Sequence, residues 1–391
     1  MASILTINAG SSSIKAALFS AEEPLQELFV ASIEDIGTSP TLYTSLTSKG
    51  DATDAQSHQQ AFKAILQCLE PIIHQHPIAA VGHRVVHGGE MFTEPTAITV
   101  TMLDQLKTLK TIDPNHLPAA IDSMTLSQQV FTGIPQIACF DTSFFHNIPL
   151  VAQTIALPRI FREQGLRRYG FHGLSYTYLL RNFAQHEGEA AARGKVIMAH
   201  LGSGASIAAT TDGQAVDMTM GLSPTSGLMM STRSGDIDPG VVEFLHAVKG
   251  ITIPEFSEIV NKQSGLLGVS GTTADMHWLL QNQASDPRAA EAVELFCYQA
   301  RKAIGSLSAA LGGINSLIFS GGIGERSAEI RERICRDLQY LGVIIDPARN
   351  SAGDRLISAD DSSVGVHVIH TNEAYTIAHK TFDFICKQSK T

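Results

Sequence analysis

Two short apolar runs joined by a polar turn begin the chain. Residues 4–9 and 14–19 are mostly apolar, and the four residues between them are one glycine and three serines. This pattern predicts a β-hairpin. Backbone N–H groups, hydroxyls and the ammonium group of Lys15 can converge on a phosphate at such a turn, but an ordinary hairpin with a solvent-facing lysine has the same pattern.

The same layout recurs in residues 196–210. An apolar run ends at His200, as the first run ends near Asn8, and Gly202 then introduces small residues before a second run. Two copies of one layout predict an internal duplication with a phosphate-binding hairpin in each half. The recurrence favours phosphate binding over an ordinary hairpin.

A third glycine-rich turn, residues 320–324, links a predicted strand at 317–319 to a predicted helix. Apolar residues recur after this turn at helical spacing, whereas the arginines at 331, 333 and 336 are expected on other sides of the helix. The apolar positions are Ile330, Ile334, Leu338 and Leu341.

Elsewhere, strand-like and helical patterns alternate. Residues 79–86 predict a strand, and residues 61–68 and 289–307 predict helices. Hairpins beside strand–helix units predict an α/β protein with mixed sheets.

A polar loop closed by a proline, near residues 147–152, marks the expected boundary between two domains. The first would comprise residues 1–150, completed by a C-terminal helix at about 373–391, and the second residues 151–372. A cleft between the domains would bring the three glycine-rich loops together.

Composition limits the classes of function. The 391 residues, 44% hydrophobic and 17% charged, are typical of a globular protein of two domains. A net charge of −10 argues against a nucleic-acid or anionic-membrane surface, and no apolar run is long enough to predict a membrane helix. Five scattered cysteines without CxxC spacing argue against disulfides and zinc. We therefore expect a cytoplasmic protein that binds small anionic molecules, not nucleic acid or membranes.

Two arginines in glycine-rich segments are candidates for binding phosphoryl or carboxylate oxygens. Arg84 lies at the end of a predicted strand in GHRVVHGG, and Arg233 lies in STRSGDIDPG. A planar guanidinium suits both groups, and two of them would neutralise the charge of a transferring phosphoryl group. Taken singly, Arg84 could instead form a surface ion pair, and Arg233 could pair with an aspartate of its own loop.

Three histidines and two acids lie in similar loops. His116, His172 and His200 lack a metal-binding spacing and are better suited to donating hydrogen bonds to phosphoryl oxygens. Asp141 and Glu373 are candidates for holding the Mg²⁺ that accompanies nucleotide phosphates. By themselves, Asp141 could be a turn residue and Glu373 a stabiliser of a helix N-terminus.

The chain resembles the acetate kinase family over nearly its whole length. The matching segments, in order, are NAGSSSIK, GHRVVHGG, FDTSFF, RRYGFHG, HLGSGAS, MTMGLSPTSGLMMSTRSGDIDPG, SGLLGVSG, FSGGIGERSAE and TNEAYTIA. So many concurrent motifs make the resemblance highly specific. It implies two lobes of duplicated ribonuclease-H-like (actin-like ATPase) topology, a homodimer, and transfer of the ATP γ-phosphoryl group to a short-chain carboxylate with Mg²⁺, or Mn²⁺ in its place.

The resemblance also implies roles for individual residues. The phosphate hairpins match Asn8, Ser11, Ser13 and Lys15 in the first copy and His200, Gly202, Ser203 and Gly204 in the second. Phosphoryl transfer matches Arg84, His116, Asp141, His172 and Arg233, and adenosine binding matches Asp275, Met276, His277, Gly322, Ile323 and Gly324. The substrate pocket matches Arg84, Val86, Phe171 and Pro224, and the metal site matches Asn8, Asp141 and Glu373.

Several residues depart from the family pattern. Near the nucleotide they are Ser203, His277 and Arg326, and elsewhere they are Asn115, Leu117, Phe145, Leu174, Tyr176 and Ser226. Acetate is the expected acceptor, with propionate or butyrate as alternatives. A nucleotide-binding protein with weakened catalysis is a further alternative, from another functional class.

Overall fold

A computed structural model describes residues 2–10, 12–47 and 49–388, so Ser11 of the first hairpin lies outside the described residues. The strands are β1 (Ser3–Ala9), β2 (Ile14–Ser20), β3 (Glu27–Glu34), β4 (Thr41–Thr44), β5 (Asp51–Ala52), β6 (Ile78–Val85), β7 (Thr96–Ala97), β8 (Gln136–Phe140), β9 (Val196–Leu201), β10 (Ala205–Thr211), β11 (Gln214–Met218), β12 (Ser316–Ser320) and β13 (Gly365–Val368).

The helices are α1 (His58–Ile73), α2 (Val100–Thr108), α3 (Leu117–Val130), α4 (Leu150–Gln153), α5 (Arg159–Glu163), α6 (Gly173–Glu187), α7 (Glu189–Arg193), α8 (Gly240–Lys249), α9 (Ile253–Lys262), α10 (Gly265–Ser270), α11 (Met276–Asn282), α12 (Pro287–Leu311), α13 (Gly321–Arg326), α14 (Ala328–Cys335), α15 (Pro347–Ala352) and α16 (Glu373–Gln388). Among the described residues, these helices are all too short or too polar to cross a membrane.

The chain divides into two compact units. Unit 1 comprises Met1–His146, Gly173–Tyr178 and Asn372–Thr391, and unit 2 comprises Asn147–His172 and Leu179–Thr371. Each unit is built around one mixed sheet.

The sheet of unit 1 has the strand order β5-β4-β3-β2-β1-β6-β8-β7. Strands β1, β2 and β3 form an antiparallel meander, whereas β6 is parallel to β1 and β8 is parallel to β6. The C-terminal ends of β1, β6 and β8 therefore lie at one edge of the sheet.

The sheet of unit 2 has the order β11-β10-β9-β12-β13, which repeats the order β3-β2-β1-β6-β8 of unit 1. Its first three strands are again antiparallel, β12 is parallel to β9, and β13 is parallel to β12. The mixed α/β class and the internal duplication predicted from the sequence are confirmed. The strands and helices expected at 79–86, 317–319, 61–68 and 289–307 correspond to β6, β12, α1 and α12.

Both faces of the unit 1 sheet are covered by helices. Leu5 and Ile7 of β1 pack in one cluster with Phe62 and Ile65 of α1. On the other face, Ile4 packs with Ala378 of α16, and a neighbouring cluster joins β6 and β8 to Ile377 of the same helix. Alternation along the strands therefore decides which side chains face α16.

Gly82 of β6 allows this close packing of α16. A Cβ at position 82 would lie 2.6 Å from Cγ2 of Ile377 and would also overlap the hydroxyl of Thr381. A side chain at position 82 would push α16 away from the sheet. The helix can therefore take its position only because residue 82 is a glycine.

The sequence-based helix from Ile330 to Leu341 is wrong in its second half. Helix α14 ends at Cys335, and a short 3₁₀ turn, Gln339–Leu341, precedes Gly342, whose φ is +87°. The expectation that Arg331 faces away from the core is also wrong, because its side chain is only 1% exposed. Its guanidinium donates hydrogen bonds to the carbonyl oxygens of Gly324, Glu325 and Asn350 at 2.8–2.9 Å, and to the Oδ1 atom of Asn350 at 2.8 Å.

His83, on the face of β6 opposite Arg84, predicts a pH dependence of stability. Burial lowers its pKa to about 4, and the hydrogen bond between its Nε2 atom and Oε1 of Gln136, 3.0 Å, offsets this only in part. The unfolded chain, with a histidine pKa of about 6.5, binds a proton that the folded chain does not. We expect this one group to lower the free energy of unfolding by about 3 kcal/mol as the pH falls from about 6.5 to about 4.

Urea unfolding of the wild type and of His83→Gln across this pH range checks the expectation. The variant should lose this part of the pH dependence, and His74→Gln, at an exposed position, controls for removal of an imidazole. Parallel pH profiles for the wild type and His83→Gln would contradict it.

Candidate functional site

Three neighbouring parallel strands of unit 1 end in polar residues. Asn8 lies near the end of β1, Arg84 near the end of β6, and Asp141 directly after β8. Strand alternation places all three on the face covered by α16, which begins at Glu373. One edge of the sheet thus collects four of the predicted site residues.

Arg84 joins the acids of this group. Its Nη2 atom lies 2.7 Å from Oδ2 of Asp141, its Nε atom lies 3.2 Å from the same oxygen, and its Nη1 atom lies 3.1 Å from Oε2 of Glu373. The Oδ1 atom of Asn8 lies 3.5 Å from Nη1 of Arg84, and its Nδ2 atom lies 3.5 Å from Oε2 of Glu373. The two carboxylates are thus bridged by one guanidinium.

This group is buried, unlike the surface ion pair that the segment alone would allow. The side chain of Asp141 is 0% exposed, and those of Arg84 and Glu373 are 17% exposed. Burial by itself lowers the pKa of Arg84, but the charges of Asp141 and Glu373 outweigh it and hold the pKa above its usual value. Arg84 is therefore a fixed positive charge at this edge.

The group offers oxygen donors of the kind that a hard cation takes. Asp141 and Glu373 supply carboxylate oxygens, and Asn8 supplies an amide oxygen. Among the residues that the structure describes, no cluster of three or more His, Cys, Asp or Glu side chains could hold a metal ion. A cation here would therefore need further oxygen ligands from water or a substrate.

The first hairpin is formed as expected. Its turn is closed by a hydrogen bond from the amide of Gly10 to the carbonyl oxygen of Ser13, 2.8 Å, and Asn8 is opposite Lys15 in the register. The Nζ atom of Lys15 lies 3.3 Å from Oε1 of Glu34 in an exposed ion pair. Nothing in this pairing prevents Lys15 from changing partner, because an exposed pair of this kind contributes little free energy.

The loop after Arg84 is tied to the loop that begins at Asp141. The amide of Gly88 donates to Oγ1 of Thr142 at 3.0 Å, and a Cβ at Gly88 would lie 2.5 Å from the carbonyl oxygen of Phe92. Val86, in this loop, is half-buried. His116 lies at the start of α3, with its Nδ1 atom 2.7 Å from Oδ1 of Asp113.

In unit 2, His172 has a backbone conformation that is uncommon outside glycine. Its φ is +59° and its ψ is 24°, directly before α6. Its ring stacks on that of His200, with centroids 4.5 Å apart, and its Nδ1 atom lies 2.9 Å from the hydroxyl of Ser206. His200 and Ser206 are paired across β9 and β10, so the second hairpin holds the ring of His172.

Gly204 leaves space beside this histidine. A Cβ at Gly204 would lie 3.1 Å from Nε2 of His172 and 3.8 Å from Nη1 of Arg233. Arg233 itself donates to the carbonyl oxygen of the buried Pro224 at 3.1 Å. The turn of the second hairpin, His172 and Arg233 thus surround a small cradle that a side chain at position 204 would fill.

The aspartates of the Arg233 loop have other partners. Asp236 accepts a hydrogen bond from the amide of Gly227 at 2.8 Å, and Asp238 accepts one from the amide of Gly240 at 2.7 Å. Their side chains shape the loop through its backbone.

A cavity of about 600 Å³ in unit 2 collects most of the predicted adenosine residues. The predicted residues that line it are Ser203, Asp275, Met276, His277, Gly322 and Ile323, and Arg326, expected near the nucleotide, lines it as well. The lining residues that the sequence did not indicate are Ser231, Ala274, Leu280 and Ser327. Asp275 also caps α11, because its Oδ1 atom accepts a hydrogen bond from the amide of His277 at 2.9 Å. Ser231 and Ser327 lie inside matching segments of the family, and Ala274 and Leu280 lie within three residues of the predicted set Asp275, Met276 and His277, which was the available signal.

Half-buried Glu325 and buried Arg331 hold the glycine-rich turn beside this cavity. Glu325 accepts hydrogen bonds from the amides of Gly321, 2.8 Å, and Thr371, 3.0 Å, and its Oε2 atom lies 2.9 Å from Nδ1 of His370. Arg331 binds the carbonyl oxygens of the same turn, including that of Gly324. Gly324 therefore anchors the turn. Although it was predicted to bind adenosine, it is not among the residues that line the cavity. Gly202 closes the second hairpin through a 3.0 Å hydrogen bond from its amide to the carbonyl oxygen of Gly204.

The sequence is similar to those of known proteins over nearly its whole length. The model of the Acetokinase family matches residues 3–379. The chain is similar to an acetate kinase of Rhodopseudomonas palustris, with 42% identity and 96% of each chain covered. It is also similar to an acetate kinase of Methanosarcina acetivorans, with 40% identity over 98% of this chain and 97% of that one.

Solved structures give the same relationship. A propionate kinase from Francisella tularensis has a TM-score of 0.92 and 35% identity, covering 98% of this chain and 100% of that chain. An acetate kinase from Porphyromonas gingivalis has a TM-score of 0.87 and 35% identity with the same coverage. The expected actin-like ATPase fold is thereby confirmed. On the extent of the family match and these identities, the chain belongs to the acetokinase family.

Proposed function

We propose that this protein is an acetate kinase, which transfers the γ-phosphoryl group of ATP to acetate and yields acetyl phosphate and ADP. Acetate kinases use ATP as phosphoryl donor, and the chain has acetate kinase relatives at 42% and 40% identity over nearly their full lengths. The observation that carries the proposal is that family match, together with the buried Arg84–Asp141–Glu373 group at the edge where the matching motifs end.

The proposed reaction needs no general base. A carboxylic acid with a pKa of about 4 is already ionised at pH 7, so its oxygen can attack the γ-phosphorus directly. A bond forms between that oxygen and phosphorus, the bond from phosphorus to the bridging β,γ-oxygen breaks, and ADP leaves with the electron pair. Positioning and neutralisation of charge are then the catalytic contributions of the protein.

In unit 2, we assign the nucleoside to the cavity lined by Asp275, Met276 and Ile323. The turn of the second hairpin would take phosphate oxygens through the backbone amides of Ser203 and Gly204, since the amide of Gly202 closes the turn. His172 and Arg233 would donate hydrogen bonds to the phosphoryl group. Support comes from the open space at Gly204, which faces both side chains.

In unit 1, we assign Arg84 to the oxygens of the substrate carboxylate and of the phosphoryl group. His116 would donate to the same oxygens, and Asn8, Ser13 and Lys15 of the first hairpin would contact phosphates. Val86, with Phe171 and Pro224 of unit 2, is assigned to the alkyl group of the substrate.

Mg²⁺, with Mn²⁺ as a substitute, would be held by Asp141, Glu373 and the amide oxygen of Asn8. When bound, it would neutralise phosphate charge. The oxygen-only donor set supports this assignment.

We also propose that the protein is a homodimer. None of the residues of α8, all of which the structure describes, is buried, and Phe244 and Val248 of this helix are 62% and 57% exposed. The next helix, α9, likewise buries none of its residues, and its Ile253 is 69% exposed. Exposed apolar residues on two successive helices favour a second copy of the chain as their partner.

An activity screen tests the proposed function. We expect hydroxylamine trapping to detect acyl phosphate with ATP, Mg²⁺ and acetate, with kcat/KM falling by about 10-fold or more for each added methylene in propionate and butyrate. Removal of the metal by EDTA should abolish the signal.

The screen also separates the alternatives. A higher kcat/KM for propionate would make the protein a propionate kinase, a candidate supported by the similarity to the Francisella structure. Binding of ATP without any acyl phosphate would contradict the kinase proposal and favour a nucleotide-binding protein.

Arg84 and Arg233 should each be required for turnover. We expect Arg84→Ala and Arg233→Ala to lower kcat by about 10³-fold or more, because each removes a charge that neutralises the transferring group. Arg84→Ala should also lose about 3–5 kcal/mol of stability, since it leaves two neighbouring buried carboxylates without their partner. Steady-state kinetics below the melting temperature measure the first effect, and urea unfolding measures the second.

Arg355→Ala is the matched control for these variants. Arg355 is also a half-buried, ion-paired arginine, with Glu187 and Asn182 as partners, but we assign it no role in the reaction. It should keep wild-type kcat. Near-wild-type turnover in either Arg84→Ala or Arg233→Ala would show that the assignment of that arginine is wrong.

The oligomeric state tests the dimer. Light scattering after size exclusion should give twice 41.9 kDa for the wild type and 41.9 kDa for Phe244→Lys, while Leu46→Lys, at a position 77% exposed in unit 1, should remain dimeric. A monomeric wild type, or a dimeric Phe244→Lys, would contradict this surface.

A further inference from the structure

Asp113 is a buried acid to which the proposed reaction assigns nothing. It lies between α2 and α3, its side chain is 2% exposed, and its Oδ1 atom is 2.7 Å from Nδ1 of His116. An ionised carboxylate only accepts hydrogen bonds, so the Nδ1 atom of His116 must be the donor.

The second carboxylate oxygen of Asp113 destabilises the folded protein. Its Oδ2 atom is buried and has no hydrogen-bond partner among the residues that the structure describes. A buried polar atom left in this way destabilises a protein by about 1–3 kcal/mol, and more when it is charged. A carboxylate kept at such a cost calls for a reason beyond stability.

The start of α3 does not supply that reason. His116 is the N-cap residue and no side chain caps this helix. The amide of Leu117 does bond to residue 113, at 3.3 Å, but to its backbone carbonyl oxygen, which any residue would offer.

Asp113 is joined to the proposed active site through His116, whose Nδ1 atom it contacts and which the proposed function assigns to the reacting oxygens.

We propose that Asp113 is a positioning residue for His116. By accepting the Nδ1 proton it fixes the orientation of the ring, so that Nε2 faces the reacting oxygens and donates to them when both ring nitrogens carry a proton. This inference rests on the proposed function, in which His116 contacts oxygens of the substrate.

Kinetics and stability measured together test the proposal. Asp113→Asn should keep or raise the melting temperature, because it removes a buried charge, while kcat for acetyl phosphate formation falls about 10- to 100-fold and KM for ATP stays within about twofold. Unchanged kcat would overturn the proposal. A loss of kcat that is matched by a loss of folded protein would overturn it as well, since Asp113 would then be a structural residue only.

A double-mutant cycle isolates the pair. If Asp113 acts through His116, Asp113→Asn should lower kcat no further once His116→Asn is present, whereas independent effects would multiply and overturn the proposal. Asp104→Asn is the control: Asp104 forms an exposed pair with Lys107 at the same spacing of three residues, 2.8 Å apart, and its loss should leave kcat unchanged.

The tautomer of His116 gives a readout that does not depend on activity. In ¹⁵N-histidine-labelled protein, with the His116 signals identified by their loss in His116→Asn, the wild type should carry a proton on Nδ1 whether or not Nε2 is protonated, and Asp113→Asn should reduce the protonation of Nδ1. Absence of Nδ1 protonation in the wild type would overturn the pairing. A wild type that makes no acetyl phosphate would overturn the proposed function instead, and the tautomer would still test Asp113.

Discussion

The ion-pair group around Arg84 constrains the rest of unit 1. Asp141 is fully buried, and an isolated carboxylate in that position would be strongly disfavoured without its guanidinium partner. Arg84 can serve both Asp141 and Glu373 only while β6, β8 and the first turn of α16 keep their places. The close packing at Gly82, the tie between Gly88 and Thr142, and the cap of α16 by Asn372 all help to keep them there.

The corresponding edge of unit 2 is held by different means. There the second hairpin, the ring of His172 and the turn after β12 are fixed by backbone hydrogen bonds, ring stacking and glycines that allow close approach. Its principal buried charge, Arg331, is compensated by carbonyl oxygens and not by a carboxylate. Two copies of one strand order have thus diverged, one into a charged cluster and the other into a set of backbone donors beside a cavity.

Much of this architecture could be read from local sequence. Both hairpins, the strand before each glycine-rich turn and the repeated layout follow from apolar runs and turn residues that act within a few positions. The edge that collects Asn8, Arg84 and Asp141 follows once the strands are known to be parallel, but periodicity does not give sheet order. The assignment of these residues to one site came from the family resemblance.

The remainder depended on tertiary contacts. Arg331 has the spacing of a solvent-facing residue and is buried because Asn350, which is distant in sequence, accepts hydrogen bonds from it. The end of α14 at Cys335 could not be predicted from the apolar spacing either, because that spacing continues to Leu341. Asp113 resembles any turn aspartate in sequence, and only its burial and its unpaired oxygen distinguish it.

Helix α16 has a consequence of another kind, for synthesis of the chain. Unit 1 needs residues from Asn372 onward to cover one face of its sheet and to supply Glu373, whereas unit 2 is complete at Thr371. On the ribosome, where domains tend to fold as their residues emerge, the half of the molecule that is translated first is therefore the half that finishes last.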